Sequence, residues 1–261
     1  MLIYMSVVSH GDELEIINGL KPHLLQCDTV KIIIRDNVNS SSLKEYCKLH
    51  DIIYVANNVF CGFGENNNLN FSYLVTKELI GADDFFIVTN PDVIINRIEI
   101  LNLATACVDA GFKIATLNLF KDDSFKVLES NVRKFPHIWD FVASFLLKSS
   151  QTIHHREGVS EPMRVDWASG SFLLFNAKLF EKLGGFDPGY YMYCEDVDIC
   201  WRAKQLLSVD TYFVPYAKAI HAGKWESRKF NSKLTYYHIY SALRFSVIRF
   251  WRIFGGDLYP K

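Results

Sequence analysis

The chain has 261 residues, 49% of them hydrophobic and 22% charged, with a formal net charge of −1. This is a globular composition able to bury a sizeable core, and it argues against nucleic acid as a bulk partner, because neutralising phosphates requires a surplus of Lys and Arg. Cysteines at 27, 47, 61, 107, 194 and 200 form no C-x-x-C pair and no zinc-ligand spacing, so reduced thiols and a cytoplasmic setting are expected.

Short apolar runs rich in β-branched and aromatic residues predict strands over 3–9, 30–34, 52–56 and 85–89, and helix-like spacing falls between them over 12–26, 42–49, 67–80 and 97–110. A further strand is expected over 113–119. This alternation predicts an α/β sandwich around one mostly parallel, Rossmann-like sheet flanked by helices, with ligands at the carboxyl ends of the strands. The region 120–165 is irregular and reads as an insertion over one end of the sheet. Beyond it, strands are expected over 167–175, 211–214 and 217–221, and helices over 177–183, 195–206 and 233–254. The expected division is one catalytic unit over 1–230 and a helical, aromatic and basic extension over 231–261. No leader segment and no apolar stretch of membrane-spanning length is read from the chain.

The most informative stretch is Gly184-Gly185-Phe186-Asp187 followed by Glu195-Asp196-Val197-Asp198. Three carboxylates in four residues repel one another, and burial raises that cost unless a cation, dipole or shared proton offsets it. An acidic first helical turn is the ordinary alternative. Three further groups fall at strand ends. Asp36-Asn37 follows the second strand, as a turn or as a reader of a nucleotide base. Asn90-Pro91-Asp92 follows the fourth, where Pro91 fixes the backbone and Asp92 is placed to hold a divalent ion bridging phosphates. His221 ends a late strand beside Gly223 and Lys224, a structural histidine or a ligand for metal or diphosphate. Residues 57–68 combine Gly62 and Gly64 with five asparagines, Asn67 and Asn68 among them, which suits a surface loop or sugar and phosphate recognition. Asp166-Trp167-Ala168-Ser169-Gly170 offers a carboxylate, an indole platform and small residues that leave room for a sugar ring.

In this order the motifs resemble those of glycosyltransferase family 2, of the GT-A fold, and its bacterial rhamnosyltransferase-like members in particular. The resemblance covers nearly the whole chain. Asn90 stands where many relatives carry Asp, and Ser9-His10 replaces a usual Tyr-Asn. The resemblance implies inverting transfer of a sugar, with rhamnose a candidate, from a nucleotide diphosphate donor to a hydroxyl of a growing, lipid-linked surface glycan. It implies Asp196 as the base, with Glu195 as second choice. Asp36, Asn37, Asn67, Asn68, Asn90, Asp92 and Lys224 would serve the donor, and Asp166, Trp167, Ser169 and Gly170 the acceptor. Asp92 and His221 would hold Mn²⁺ or Mg²⁺. Asp198 is expected to orient the loop or a basic partner. The competing readings are a catalytically silent sugar-nucleotide or glycan-binding protein, and a nucleotidyltransferase, which would be expected to carry an early Gly-rich, basic phosphate loop.

The segment 222–261 carries eight basic residues against Glu226 and Asp257. Leu243, Val247, Phe250 and Phe254 recur at helical spacing, and Arg244, Arg249 and Arg252 interrupt the run. The helix is expected either to pack on the domain with solvated arginines or to lie on an anionic membrane, at its cytoplasmic face.

Overall fold

The computed structural model describes residues 1–137, 139–140, 152–154, 156–221, 223 and 232–253. Nine strands form one mixed sheet. In chain order they are β1 (Ile3–Ser9), β2 (Val30–Asp36), β3 (Ile53–Ala56), β4 (Phe85–Thr89), β5 (Val93–Ile94), β6 (Ile114–Phe120), β8 (Met163–Val165), β10 (Phe172–Asn176) and β11 (Thr211–His221), and a separate ribbon pairs β7 (Val132–Arg133) with β9 (Trp167–Ala168). The strand order is 3-2-1-4-10-6-11-5, with β8 added alongside β11. Strands β3, β2, β1 and β4 pair in parallel, as do β6 and β11, while β10 enters antiparallel between β4 and β6.

The central strands are largely apolar because helices cover both faces of the sheet. On one face Ile3, Met5 and Val7 of β1 pack with Leu43 and Cys47 of α2 (Ser41–Leu49) and with Ile100, Leu103 and Cys107 of α4 (Arg97–Ala110). On the other, Tyr4, Phe86 and Val88 pack with Phe71 and Leu74 of α3 (Phe63–Thr76), Phe180 of α5 (Ala177–Lys182) and Ile199 of α6 (Glu195–Leu207). Odd and even residues of β1 therefore serve opposite cores, as the pleat requires.

Four sequence expectations change. The helix expected over 12–26 divides into a π-helical turn (Glu15–Leu20) and the short α1 (Pro22–Leu25), because Lys21 is left-handed at φ 52° and Pro22 opens the next turn. Helix α3 begins at Phe63 rather than at 67, so much of the Asn/Gly-rich stretch is helix. The strand expected over 167–175 breaks at 169–171 and serves two sheets. The two strands expected over 211–221 are one, with an irregularity between Val214 and Lys218 where Pro215 lacks an N–H.

Helix α7 (Ser232–Ile253) packs against α6, with Phe245 and Ile248 meeting Tyr190, Val197 and Trp201. The expected boundary at 230/231 lies outside the described residues. Among the described residues, no helix is long and apolar enough to cross a membrane.

Candidate active site

The parallel strands deliver their carboxyl ends to a cavity of about 730 Å³. Its floor comes from the ends of β1 (His10), β4 (Asn90, Pro91, Asp92) and β11 (His221). The start of α6 contributes Glu195, Asp196 and Val197, and the β7–β9 ribbon adds Arg133 and Trp167.

The acidic motif reaches the cavity through a strained turn. Tyr193 and Cys194 both have left-handed backbones, φ 70° and 66°, immediately before Glu195. Left-handed geometry costs a residue with a Cβ roughly 1–2 kcal/mol, and such strain concentrates at functional sites. Upstream, Gly185 has φ 67°, and a Cβ there would come within 2.2 Å of Asn68 Oδ1, so this turn admits glycine alone.

The three carboxylates divide their roles. Asp198 is fully buried and receives Arg202 Nε at 2.7 Å, which meets the expectation of a basic partner. Asp196 is held on both oxygens, accepting N–H from Gly170 at 3.0 Å and from Val197 at 2.8 Å. Burial raises its pKa, while those N–H groups and the nearby Arg133 pull it back. Burial, with the adjacent charge of Asp196, raises Glu195 to about 8. Among the described residues, Glu195 Oε2 has no hydrogen-bond partner. At neutral pH, Glu195 is therefore mostly protonated, and Asp196 is the better oriented carboxylate.

In the same cavity, His221 joins two acids. Its Nε2 lies 3.2 Å from Asp92 Oδ1 and its Nδ1 2.8 Å from Glu129 Oε2, with Asn90 Nδ2 3.2 Å from Nε2. Burial opposes charge on the ring, but the hydrogen bonds to Asp92 and Glu129 outweigh it and raise the imidazole to about 10. Among the described residues, no group of three or more His, Cys, Asp or Glu side chains is arranged to hold a metal ion. Asp92 and His221 nevertheless suit a Mn²⁺ or Mg²⁺ ion that takes its remaining ligands from phosphate and water. Glu129 occupies the place of the carboxylate that orients a ligating histidine.

The remaining sequence-predicted residues are placed as follows. Trp167, Ser169 and Gly170 line the cavity, and Trp167 Nε1 donates to Lys134 O at 2.9 Å. Asp166 does not line it; its carboxylate pairs with Lys204 at 3.1 Å and accepts N–H from Phe135. Asp36 is consumed by its own turn, accepting from Val38 N, Ser40 N and Tyr54 Oη. Asn37 bonds His10 and the Cys61 carbonyl, and it lies beside the cavity rather than in its lining. Asn67 and Asn68 also lie outside the lining. Asn67 accepts from Ser6 Oγ and donates to Phe63 O, and Asn68 brackets the backbone of Phe186 with both amide atoms. The asparagine-rich segment is thus a buried network tying α3 to β1, β2 and the Gly-Gly turn, extended by Arg35 to Asn57 and Asn70. Lys224 lies outside the described residues.

The motif search missed Arg133, Glu129 and His238. Arg133 lies 5.8 Å from the Trp167 ring centre, and its charge acts on Asp196 and Glu129. His238, on α7, lines the same cavity. His238 falls in the stretch read only for its apolar periodicity, and the other two in no patterned stretch at all. Glu129 and Arg133 belong to the irregular region and reach the site only because β7 pairs with β9.

A mixed α/β sheet of this order, with Asp92 and the Glu195-Asp196 pair at its carboxyl edge, defines a glycosyltransferase of the GT-A class. Solved structures share the fold. A mannosyltransferase from Pyrobaculum calidifontis in complex with GDP-Man and Mn²⁺ superposes with a TM-score of 0.59 at 14% identity, over 93% of this chain and 64% of that one. GalNAc-T7 with UDP, GalNAc and Mn²⁺ superposes with a TM-score of 0.61 at 15% identity, over 85% and 44%.

No family model matches the chain. Among curated relatives, rhamnosyltransferase WbbL of Escherichia coli K12 is 36% identical over 246 residues, 94% of this chain and 92% of that protein. The N-acetylglucosaminyl-diphospho-decaprenol L-rhamnosyltransferase of Mycobacterium tuberculosis is 34% identical over 150 residues, and the match spans about half of each chain (54% and 47%). The chain belongs to the family of GT-A glycosyltransferases that includes WbbL.

Proposed function

We propose that this glycosyltransferase moves rhamnose, with inversion, from a nucleoside diphosphate donor to a hydroxyl of a sugar carried on a lipid diphosphate. The observation that carries the mechanism is Asp196, oriented by two backbone N–H groups inside the cavity that Asp92 and His221 also line. The rhamnosyl and lipid-diphosphate specificities rest on the names of the two rhamnosyltransferase relatives.

An acceptor hydroxyl beside Asp196 gives its proton to the carboxylate as its oxygen attacks the anomeric carbon of the sugar. The bond from that carbon to the diphosphate oxygen breaks on the opposite face, so the anomeric configuration inverts. General-base assistance of this kind contributes about 10²–10⁴-fold. Arg133 keeps Asp196 ionised closer to neutrality, while Glu195, largely protonated, leaves the negative charge on its neighbour. Trp167 offers an apolar platform for the acceptor ring. Asp92 and His221, oriented by Glu129, are the residues that would hold the divalent ion, which when bound neutralises charge developing on the leaving diphosphate. Nucleotide sugars as donors would place the reaction in the cytoplasm, and a lipid-linked acceptor would place it at the inner face of the membrane.

The test is an assay of the full chain with a panel of nucleoside diphosphate sugars and a synthetic lipid-diphosphate N-acetylglucosamine. Transfer from the rhamnosyl donor, with NMR showing the inverted anomer, is expected. Donor binding without transfer or hydrolysis would instead identify a silent binding protein. A retained configuration would remove Asp196 as the base in a single displacement.

A further inference from the structure

Helix α7 has two apolar faces, and the domain uses only one of them. Ser241, Ala242, Phe245 and Ile248 are buried against the body of the protein. Two of the three arginines expected on a solvent or membrane face also turn inward. Arg244 Nη2 lies 2.6 Å from Asp187 Oδ2, and Arg249 Nη1 donates to Pro136 O at 2.6 Å. Phe254 and the side chain of Arg252 lie outside the described residues.

The opposite face carries Tyr236, Ile239, Tyr240, Leu243, Val247 and Phe250, each between 42% and 63% exposed. Their spacing of three and four residues aligns them in one stripe about 20 Å long at 1.5 Å per residue. Scattered exposed apolar side chains are ordinary, whereas a continuous stripe marks an interaction surface.

We propose that this outward stripe of α7 docks the protein on an anionic lipid bilayer. The charge around the helix selects that occupant. No Asp or Glu lies within 232–253, and the sequence over 224–233, leading into the first turn of α7, carries Lys224, Arg228, Lys229 and Lys233 against Glu226 alone. Basic flanks around an apolar, aromatic stripe complement a negatively charged headgroup layer. Tyr236 and Tyr240, stacked at 6.3 Å, supply the amphipathic rings favoured at headgroup depth.

Docking on this face would also serve the site. His238 on α7 lines the cavity with Met192 and Tyr193, and Ser241 Oγ fastens α7 to Met192 O at 2.8 Å. A bilayer under α7 lies beside the cavity wall to which a lipid-linked acceptor must come. In that respect the inference rests on the lipid-linked reading; the docking itself does not.

Flotation of the full chain with phosphatidylcholine vesicles, with and without phosphatidylglycerol, tests it. The intact chain should float with the anionic vesicles, less with neutral ones, and less as salt rises. The variant Ile239→Ser/Leu243→Ser/Val247→Ser should lose about tenfold or more of the bound fraction while keeping its melting temperature and its transfer to a soluble acceptor. Failure of the intact chain to float, or undiminished floating of the variant, overturns the proposal. So does a concentration-dependent dimer abolished by the same variant, which would assign the stripe to a second copy. Binding without any sugar transfer would sink the proposed reaction and leave the docking surface standing. Transfer to a soluble acceptor without vesicle binding would do the reverse.

Discussion

Arg244 of α7 reaches across to Asp187, the last residue of the Gly-Gly-Phe-Asp turn, at 2.6 Å, and lies 5.2 Å from the Tyr190 ring centre. Asp187 is buried and also accepts N–H from Gly189, where an added Cβ would come within 2.3 Å of the guanidinium. The C-terminal helix is thereby tied to the turn that presents the acidic motif. Arg244→Met removes this cation from a buried carboxylate and should destabilise the fold by about 1–3 kcal/mol. Urea unfolding checks this, and restoring most of the loss with Asp187→Asn in the same chain would show that the buried carboxylate charge is its source.

Asp196→Asn should lower transfer by about 10²–10⁴-fold with donor affinity unchanged, because the amide keeps the two N–H contacts poorly but removes proton acceptance altogether. Calorimetric donor titration beside single-turnover kinetics separates the two effects. Near-normal turnover here with an inactive Glu195→Gln would move the base by one residue.

Arg133 lowers the pKa of Asp196 against the effect of burial. Removing the cation raises that pKa, so a larger fraction of the base is protonated at a given pH. The acid limb of the rate profile should therefore shift to higher pH in Arg133→Gln and return towards its original position in Arg133→Lys. An unmoved limb with a uniformly lower rate would assign Arg133 to substrate binding alone.

Glu195 gives a stability signature. Its folded-state pKa is about 8, against an ordinary 4.5, so between those values the native state holds a proton that the unfolded chain has released. Stability contributed by this group is greatest below the lower value and is lost as pH rises towards the upper one. Glu195→Gln mimics the protonated form and escapes that loss. Its melting temperature should exceed that of the unaltered protein by a few degrees near pH 8, with the gap closing towards pH 5.

Donor-induced thermal stabilisation should be larger with Mn²⁺ than with EDTA, and the difference should disappear in Asp92→Ala. Equal stabilisation in EDTA would leave His221 as the charge facing the diphosphate.

Much was legible before any tertiary contact was known. β1 and β4 follow from uninterrupted apolar, β-branched runs because a sheet covered on both faces imprints that pattern locally. The Glu195-Asp196 pair and Asp92 stand out because charges next to apolar runs, at strand and helix ends, are costly unless used. Residue types alone also suggested a recognition role for Asn67, Asn68 and Asp166, whose side chains bond within the protein and lie outside the cavity lining. An amide or carboxylate looks the same in sequence whether it faces a ligand or satisfies a buried N–H.

Direction and partnership were decided by the tertiary structure alone. Asn68 meets the backbone of Phe186 across 118 residues, and Glu129 meets His221 across 92. No local pattern encodes such pairs, because their energy arises only when chain closure brings the groups together. The same holds for α7, whose periodicity announced one apolar face while packing consumed another. Which stripe of a helix is buried depends on the surface it meets, and that surface, assembled from Tyr190, Val197 and Trp201, exists only once α6 is in place.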